Sequence, residues 1–259
     1  MLAASLHGVH ENERQMLFEH LDLLGAGDPL LMDRGYPCRW LVALLNHRGI
    51  GFCMRAEKAG NSGFACVRDF LRSSQQEQIV TLAAPDTDDA HDYECPAAPQ
   101  TVRLVRHVAS TGKVRMLITN LLDQQRFPAA VFGDLYHQRW RIEEAFKRLK
   151  HRLNLEHVSG LSQLAAAQDF AAKIVCDNLQ ALASATAATQ LPTPPARRVN
   201  RGYAHTVLKP LLPRFATAVD LLREAIALIT RQTFFNKPGL SKPRKKQPKP
   251  HKPMTQKPC

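Results

Sequence analysis

Short apolar runs fill the first half of the chain, and helical periodicity fills the second. Residues Glu11 to Leu24 carry apolar positions at helical spacing. Pro29-Leu-Leu-Met-Asp33 is a short apolar run between turn signals and predicts a buried strand. Cys38 to Arg48 predicts a helix that Gly49–Gly51 ends, and Gly51 to Ala56 predicts a second strand. This strand–helix–strand order implies part of an α/β sheet. The first ten residues are open between a short strand and disorder. Further on, Gln78–Ala84, Thr101–Val108 and Lys113–Asn120 alternate or are rich in β-branched residues, with Pro, Gly and Asp clusters between them. They predict an antiparallel β insertion.

Pro128 to Asn154 predicts one long helix, with Pro128 in its first turn. Ser162 to Gln190 is Ala-rich and helical, and Ser162 is placed to cap it. Leu191-Pro-Thr-Pro-Pro195 breaks the chain. A helical region from Tyr203 to Arg231 follows, with kinks expected at Pro210 and Pro213. The Pro- and Lys-rich segment after Phe235 predicts disorder. The resulting division is 1–56, 57–123 for the β insertion, 124–235 for the helices and 236–259 for the basic tail.

Charge changes this picture. The 259 residues carry a net +12, which points to polyanionic partners. Eight of those charges lie in residues 237–259, which hold no acid, so the rest carries only +4. The six cysteines form no C-x-x-C pair, which argues against zinc. With neither a signal peptide pattern nor a long apolar run, a cytoplasmic protein is expected. Asp86, Asp88, Asp89 and Asp92 cluster between Pro85 and Glu94 without the glycine spacing of a calcium loop, so a solvated loop is expected.

The stretch Tyr136-His-Gln-Arg139-Trp-Arg-Ile-Glu143-Glu-Ala-Phe-Lys147-Arg-Leu-Lys150 carries the chemistry. On one continuous helix, Tyr136, Arg139, Glu143 and Lys150 fall within an arc of roughly 60°. A carboxylate there can hold a divalent metal, and the cations and phenol can hold phosphate oxygens. Spacing alone leaves a solvated, salt-bridged helix face equally open. Trp140 points aside and is assigned to packing, and Glu144 is a weaker alternative ligand.

These residues match the Y-(2)-R-(3)-E-(6)-K signature of bacterial DDE transposases, insertion-sequence family four and relatives. Pro29-Leu-Leu-Met-Asp33-Arg34-Gly35-Tyr36-Pro37 resembles the strand that carries that family's second catalytic Asp. The likeness continues through Gly51-Phe-Cys-Met-Arg55 and Asn154-Leu-Glu-His-Val-Ser-Gly160, and spans about Glu11 to Leu222. It implies a partial ribonuclease H-like catalytic fold, its first strands missing, with the β insertion and a C-terminal helical region. It also implies cut-and-paste DNA transposition with Mg²⁺ or Mn²⁺ held by Asp33 and Glu143. Tyr136, Arg139, Lys150, Arg34 and Lys147 would hold DNA. The implied partners are transposon ends, target DNA and a second copy in the DNA complex, in the nucleoid.

The family's first Asp sits on a strand upstream of the Asp-Arg-Gly-Tyr segment. The candidates here, Asp22 and Asp28, lie in a helical stretch and a turn. The chain is therefore expected to be N-terminally truncated and impaired, with apolar strand edges exposed and marginal stability. The alternative is a non-catalytic DNA-binding or transposase-binding remnant.

Overall fold

The structure, a computed structural model, describes residues 1–8, 10–56, 64–109, 112–192, 197–211 and 219–235. It divides into two units, residues 2–144 and residue 1 with 145–259. The tail after Phe235 and Pro213 lie outside the described residues.

The first unit is built on a five-stranded mixed sheet. Its strands are β1 (Leu30–Met32), β2 (Phe52–Arg55), β3 (Glu77–Leu82), β4 (Gln100–Val108) and β5 (Val114–Thr119), in the order β1-β2-β5-β4-β3. β1 and β2 pair in parallel, and the other pairs are antiparallel. The strands expected as an insertion therefore continue the same sheet, through β2 and β5. β1 is an edge strand.

Alternation along the strands covers both faces of the sheet. Leu30, Met32, Phe52, Met54, Leu104 and Ile118 pack with helix α2 (Arg39–His47), whose Trp40 to Leu45 are all buried. Leu31, Cys53, Val105 and Leu117 pack on the other side against Phe132 and Tyr136 of helix α5 (Val131–His137). A sheet with helices on both faces reads as near-continuous apolar runs, as these strands do. Gly49, at φ +66°, stops α2, and Ile50 N–H donates back to Leu45 O at 2.9 Å. Asn120 then holds the start of β2, accepting from Phe52 N–H at 2.9 Å and donating to Ile50 O at 2.9 Å.

Three expectations need correction, and one reading left open is narrowed. The N-terminal helix is short, α1 (Glu13–Phe18) followed by a 3₁₀ turn at Leu21–Leu23, because the Gly25-Ala-Gly27 turn signals follow soon after. Residues 1–8 form no strand. Helices α3 (Ala65–Arg72) and α4 (Thr87–Asp92) lie within the strand region. The acidic stretch is α4, where Asp88 and Asp89 complement the positive N-terminal end of the helix.

Arg103 of β4 is fully buried. Its Nε donates to Glu77 Oε2 at 2.8 Å, and its Nη1 donates to Phe127 O at 2.7 Å and Leu121 O at 3.2 Å. The guanidinium also lies 5.2 Å from the Phe132 ring centre. It thus ties β4 to the segment that leads into α5.

Gly133 lets α5 approach β4 closely. A Cβ there would lie 2.5 Å from Cε1 and 2.7 Å from Nδ1 of His107. Gly133→Ala gains helix propensity but overpacks this contact, so a net loss of about 1–3 kcal/mol is expected. In a His107→Ala background the same change should be neutral or stabilising. A loss unchanged by removing the ring would refute the contact as its cause.

Burial, aided by the Arg115 charge, holds the His107 pKa below its ordinary value, while Asp134 acts against this. His205 is lowered by burial and by Arg152 and Lys209. Both histidines fold neutral, so the unfolded chain binds protons first as pH falls. Their contribution is present above the ordinary histidine pKa of about 6.5 and is lost as pH falls below it. The unfolding midpoint should drop between pH 7 and 5, and His107→Gln should flatten part of that drop. An unchanged slope would exclude His107 as a contributor.

The second unit contains α7 (Gln163–Thr189), α8 (Arg201–Leu208), α9 (Val219–Arg231) and a ribbon of β6 (Arg197–Val199) and β7 (Thr233–Phe235). Ser162 caps α7, accepting from Ala165 N–H at 3.1 Å. Ala183, Ala187, Ala204, Leu208, Ala225 and Ile229 form the core of the three helices. Asp177 of α7, 4% exposed, receives Arg148 Nε at 2.8 Å and Nη2 at 3.0 Å. No helix among the described residues is long and apolar enough to cross a membrane.

Candidate active site

Asp33 directly follows β1. By strand alternation it shares the side of Leu31, the side on which α5 packs. Gly35 N–H donates to Asp33 Oδ1 at 2.9 Å and orients the carboxylate. Gly35 O in turn accepts from Arg14 Nε at 2.9 Å.

The signature segment is two helices rather than one. α5 ends at His137, and α6 runs Trp140–Arg152. Between them the bonds tighten to i→i−3: Gln138 N–H to Leu135 O at 3.1 Å, Arg139 N–H to Tyr136 O at 3.1 Å and Arg141 N–H to Gln138 O at 2.9 Å. The 100° arithmetic therefore fails across Gln138 and Arg139. Contact between Tyr136 and Arg139 survives because the tightened turn brings them together.

Arg139 is the hub. Its Nη2 donates to Glu143 Oε1 at 2.8 Å. Its guanidinium lies 5.9 Å from the Tyr136 ring centre and 5.4 Å from that of Trp140. Nε of Arg139 is buried with no hydrogen-bond partner. Burial alone would lower the Arg139 pKa, but the Glu143 bond and the charges of Tyr136, Glu143 and Asp33 raise it overall. Arg139 is therefore held charged between two carboxylates, Glu143 by contact and Asp33 through space.

Tyr136 is a core residue, 4% exposed. Burial raises its pKa, Asp33 adds to the rise, and Arg139 and Arg55 oppose it. Arg55, at the end of β2, thus belongs to the same charged cluster, although sequence reasoning gave it no role. Its parity with Cys53, which packs under α5, is the signal that would have found it.

The other expected residues divide as follows. Arg34 is exposed beside Asp33. Lys147 and Lys150 are exposed on α6 in the second unit, and Lys150 pairs with Glu156. Asp22 pairs with Arg48, and Asp28 Oδ2 accepts from Gly25 N–H at 3.0 Å, so both serve local structure. Among the described residues no group of three or more His, Cys, Asp or Glu side chains forms a metal cluster.

Comparison with known proteins gives this geometry a lineage. The family model described as "Transposase DDE domain" matches residues 1–179, and so covers both Asp33 and the signature segment. The chain is 29% identical over 166 residues to the transposase InsG for insertion sequence element IS4 of Escherichia coli (strain K12). That alignment covers 59% of this chain and 34% of the relative, so the chain matches about a third of the relative's length. No solved structure matches the chain. With the family match extending over more than half of its residues, the chain belongs to the DDE transposase family.

Proposed function

We propose that this chain carries part of the catalytic surface of a metal-dependent DNA transposase. One observation carries the reading. Asp33, Tyr136 and Arg139 act on one another electrostatically, and Arg139 bonds Glu143, so the two expected acids share one charged neighbourhood. The parallel β1–β2 pair, with an acid following β1 and a second acid on a helix, supports a ribonuclease H-like core.

The donor set fits one hard divalent ion. Mg²⁺ or Mn²⁺ takes one or two carboxylates and completes its shell with water and phosphate oxygens. Asp33 and Glu143 would be those ligands. Such an ion, when bound, neutralises charge on the phosphodiester undergoing in-line attack and activates the attacking oxygen. Arg139 holds Glu143 in place and offers a planar cation to the DNA backbone. Tyr136, being buried, braces Arg139 and is assigned no direct DNA contact. Arg34, Arg55, Lys147 and Lys150 supply further positive charge for transposon ends and target DNA. A second copy completes the DNA complex.

A second reading is a non-catalytic chain that binds DNA or a complete transposase. It is favoured because, among the described residues, no group of three or more His, Cys, Asp or Glu side chains comes together to hold the ions that two-ion chemistry needs. On either reading cleavage by this chain alone is impaired.

The test is Mg²⁺- or Mn²⁺-dependent cleavage of duplex DNA carrying the inverted repeats that flank the coding sequence. Metal-dependent cleavage at the repeat ends is expected at a low rate. Salt-sensitive DNA binding without any cleavage establishes the second reading. Absence of both overturns the proposal.

A further inference from the structure

The β6–β7 ribbon of the second unit is unusual in what it exposes. Its register pairs Arg197 with Phe235, Arg198 with Phe234 and Val199 with Thr233. A two-stranded ribbon on a core normally turns one apolar face inward. Val199 does so, packing on the helical cluster. Phe234 and Phe235 point to opposite faces of the ribbon, yet both are exposed, at 50% and 61%. Each has an arginine directly across from it.

The cations are organised around these rings. The Arg197 guanidinium lies 4.4 Å from the Phe235 ring centre, and it is braced by Nε to Thr233 Oγ1 at 2.5 Å and Nη2 to Thr233 O at 3.2 Å. Arg198, Arg201 and Arg231 are exposed nearby in sequence. Residues 197–211 contain no acid, and the eight-cation segment begins at Lys237, two residues after Phe235. Each exposed ring, with its cross-strand arginine on the same face, makes a separate site on which one unpaired base stacks while a neighbouring phosphate is neutralised, one site on each face of the ribbon. In a duplex the base faces are already covered, so the rings would have nothing to stack on. Six residues are also too few for a stable protein interface, which needs about 800 Å² per partner.

We propose that the β6–β7 ribbon binds single-stranded DNA, stacking bases on Phe234 and Phe235 and holding phosphates with Arg197, Arg198 and Arg201. The choice of DNA over RNA rests on the transposase reading above. The stacking surface stands on the ribbon alone.

The experiment is an anisotropy titration of the full chain with labelled single-stranded DNA, duplex DNA and single-stranded RNA of equal length and unrelated sequence. Phe234→Leu/Phe235→Leu keeps apolar bulk and should preserve the ribbon, which far-ultraviolet circular dichroism checks. This variant is expected to lose about 10-fold or more in single-strand affinity and to keep duplex affinity within about twofold. Phe234→Trp should retain binding, with its fluorescence quenched by single strands. Arg197→Gln/Arg198→Gln should weaken both DNA forms and lower the salt dependence. Equal losses for single strand and duplex in the leucine variant, or no loss there, overturn the proposal. So do a preference for RNA and a change in oligomeric mass in the leucine variant. Because no cleavage is measured, failure of the catalytic reading leaves this result intact.

Discussion

On the proposed catalytic reading, Glu143→Gln abolishes whatever metal-dependent DNA cleavage the chain shows while leaving the fold in place. Glutamine keeps an oxygen that accepts from Arg139 Nη2, the bond that orients position 143 at 2.8 Å. It removes the negative charge that a hard divalent ion requires. The variant should therefore unfold close to wild type and lose Mn²⁺ affinity by more than the roughly 10–100-fold typical of losing a mere supporting group. Asp33→Asn should do the same from the strand side, because Asn retains the acceptor for Gly35 N–H. Glu144→Gln, on the neighbouring direction of α6, tests the assignment. If it abolishes cleavage and Glu143→Gln does not, the ligand has been misidentified. Cleavage of inverted-repeat DNA and Mn²⁺ titration by electron paramagnetic resonance read the two effects separately.

Arg103→Met will destabilise the first unit by about 2–4 kcal/mol, at or below the scale for a fully buried ion pair, because the Glu77 side chain is 26% exposed and water can solvate its freed carboxylate. Arg103 is fully buried, and its loss strands three acceptors: Glu77, Leu121 O and Phe127 O. Adding Glu77→Leu should recover part of the loss, because a buried pair replaced by apolar groups leaves no charge unpaired. It cannot recover all of it, since the two carbonyls still lack their donor. Urea unfolding followed by tryptophan fluorescence reports on this unit, because Trp40 and Trp140 both lie within residues 2–144. A loss below about 1 kcal/mol would mean that water replaces the guanidinium. The effect should extend to the site, since Arg103 ties β4 to the segment entering α5, the helix that carries Tyr136.

Much of the candidate site's local geometry was legible in one dimension because its parts are local. Leu-Leu-Met before Asp33 is a strand by its own pattern, and the strand end carries the acid. The alternation in Val102–Val105 and Met116–Ile118 predicts two-faced strands, and both appear. Ser162 as the cap of α7 and Gly49 as the stop of α2 follow from backbone chemistry within one turn. The spacing of Arg139 and Glu143, i and i+4, needs only a single turn of helix to become an ion pair.

The rest depends on residues distant in sequence. The break at Gln138 and Arg139 has no Pro or Gly to announce it. It accompanies an Arg139 guanidinium lodged between Tyr136 and Trp140 and bonded to Glu143. Arg103 reads as a solvated strand residue until Glu77 and the 121–127 carbonyls surround it. Arg55 joins the charged cluster only because β2 pairs with β1 and α5 covers that face. The strands of the expected insertion join the first sheet through the pairing of Cys53 with Thr119, a contact across 66 positions that no local period encodes. Hydrogen bonding within a turn or a strand is set by neighbouring residues. Burial, strand partnership and the shared charged neighbourhood of Asp33 and Arg139 are set by packing, which exists only once the chain has folded.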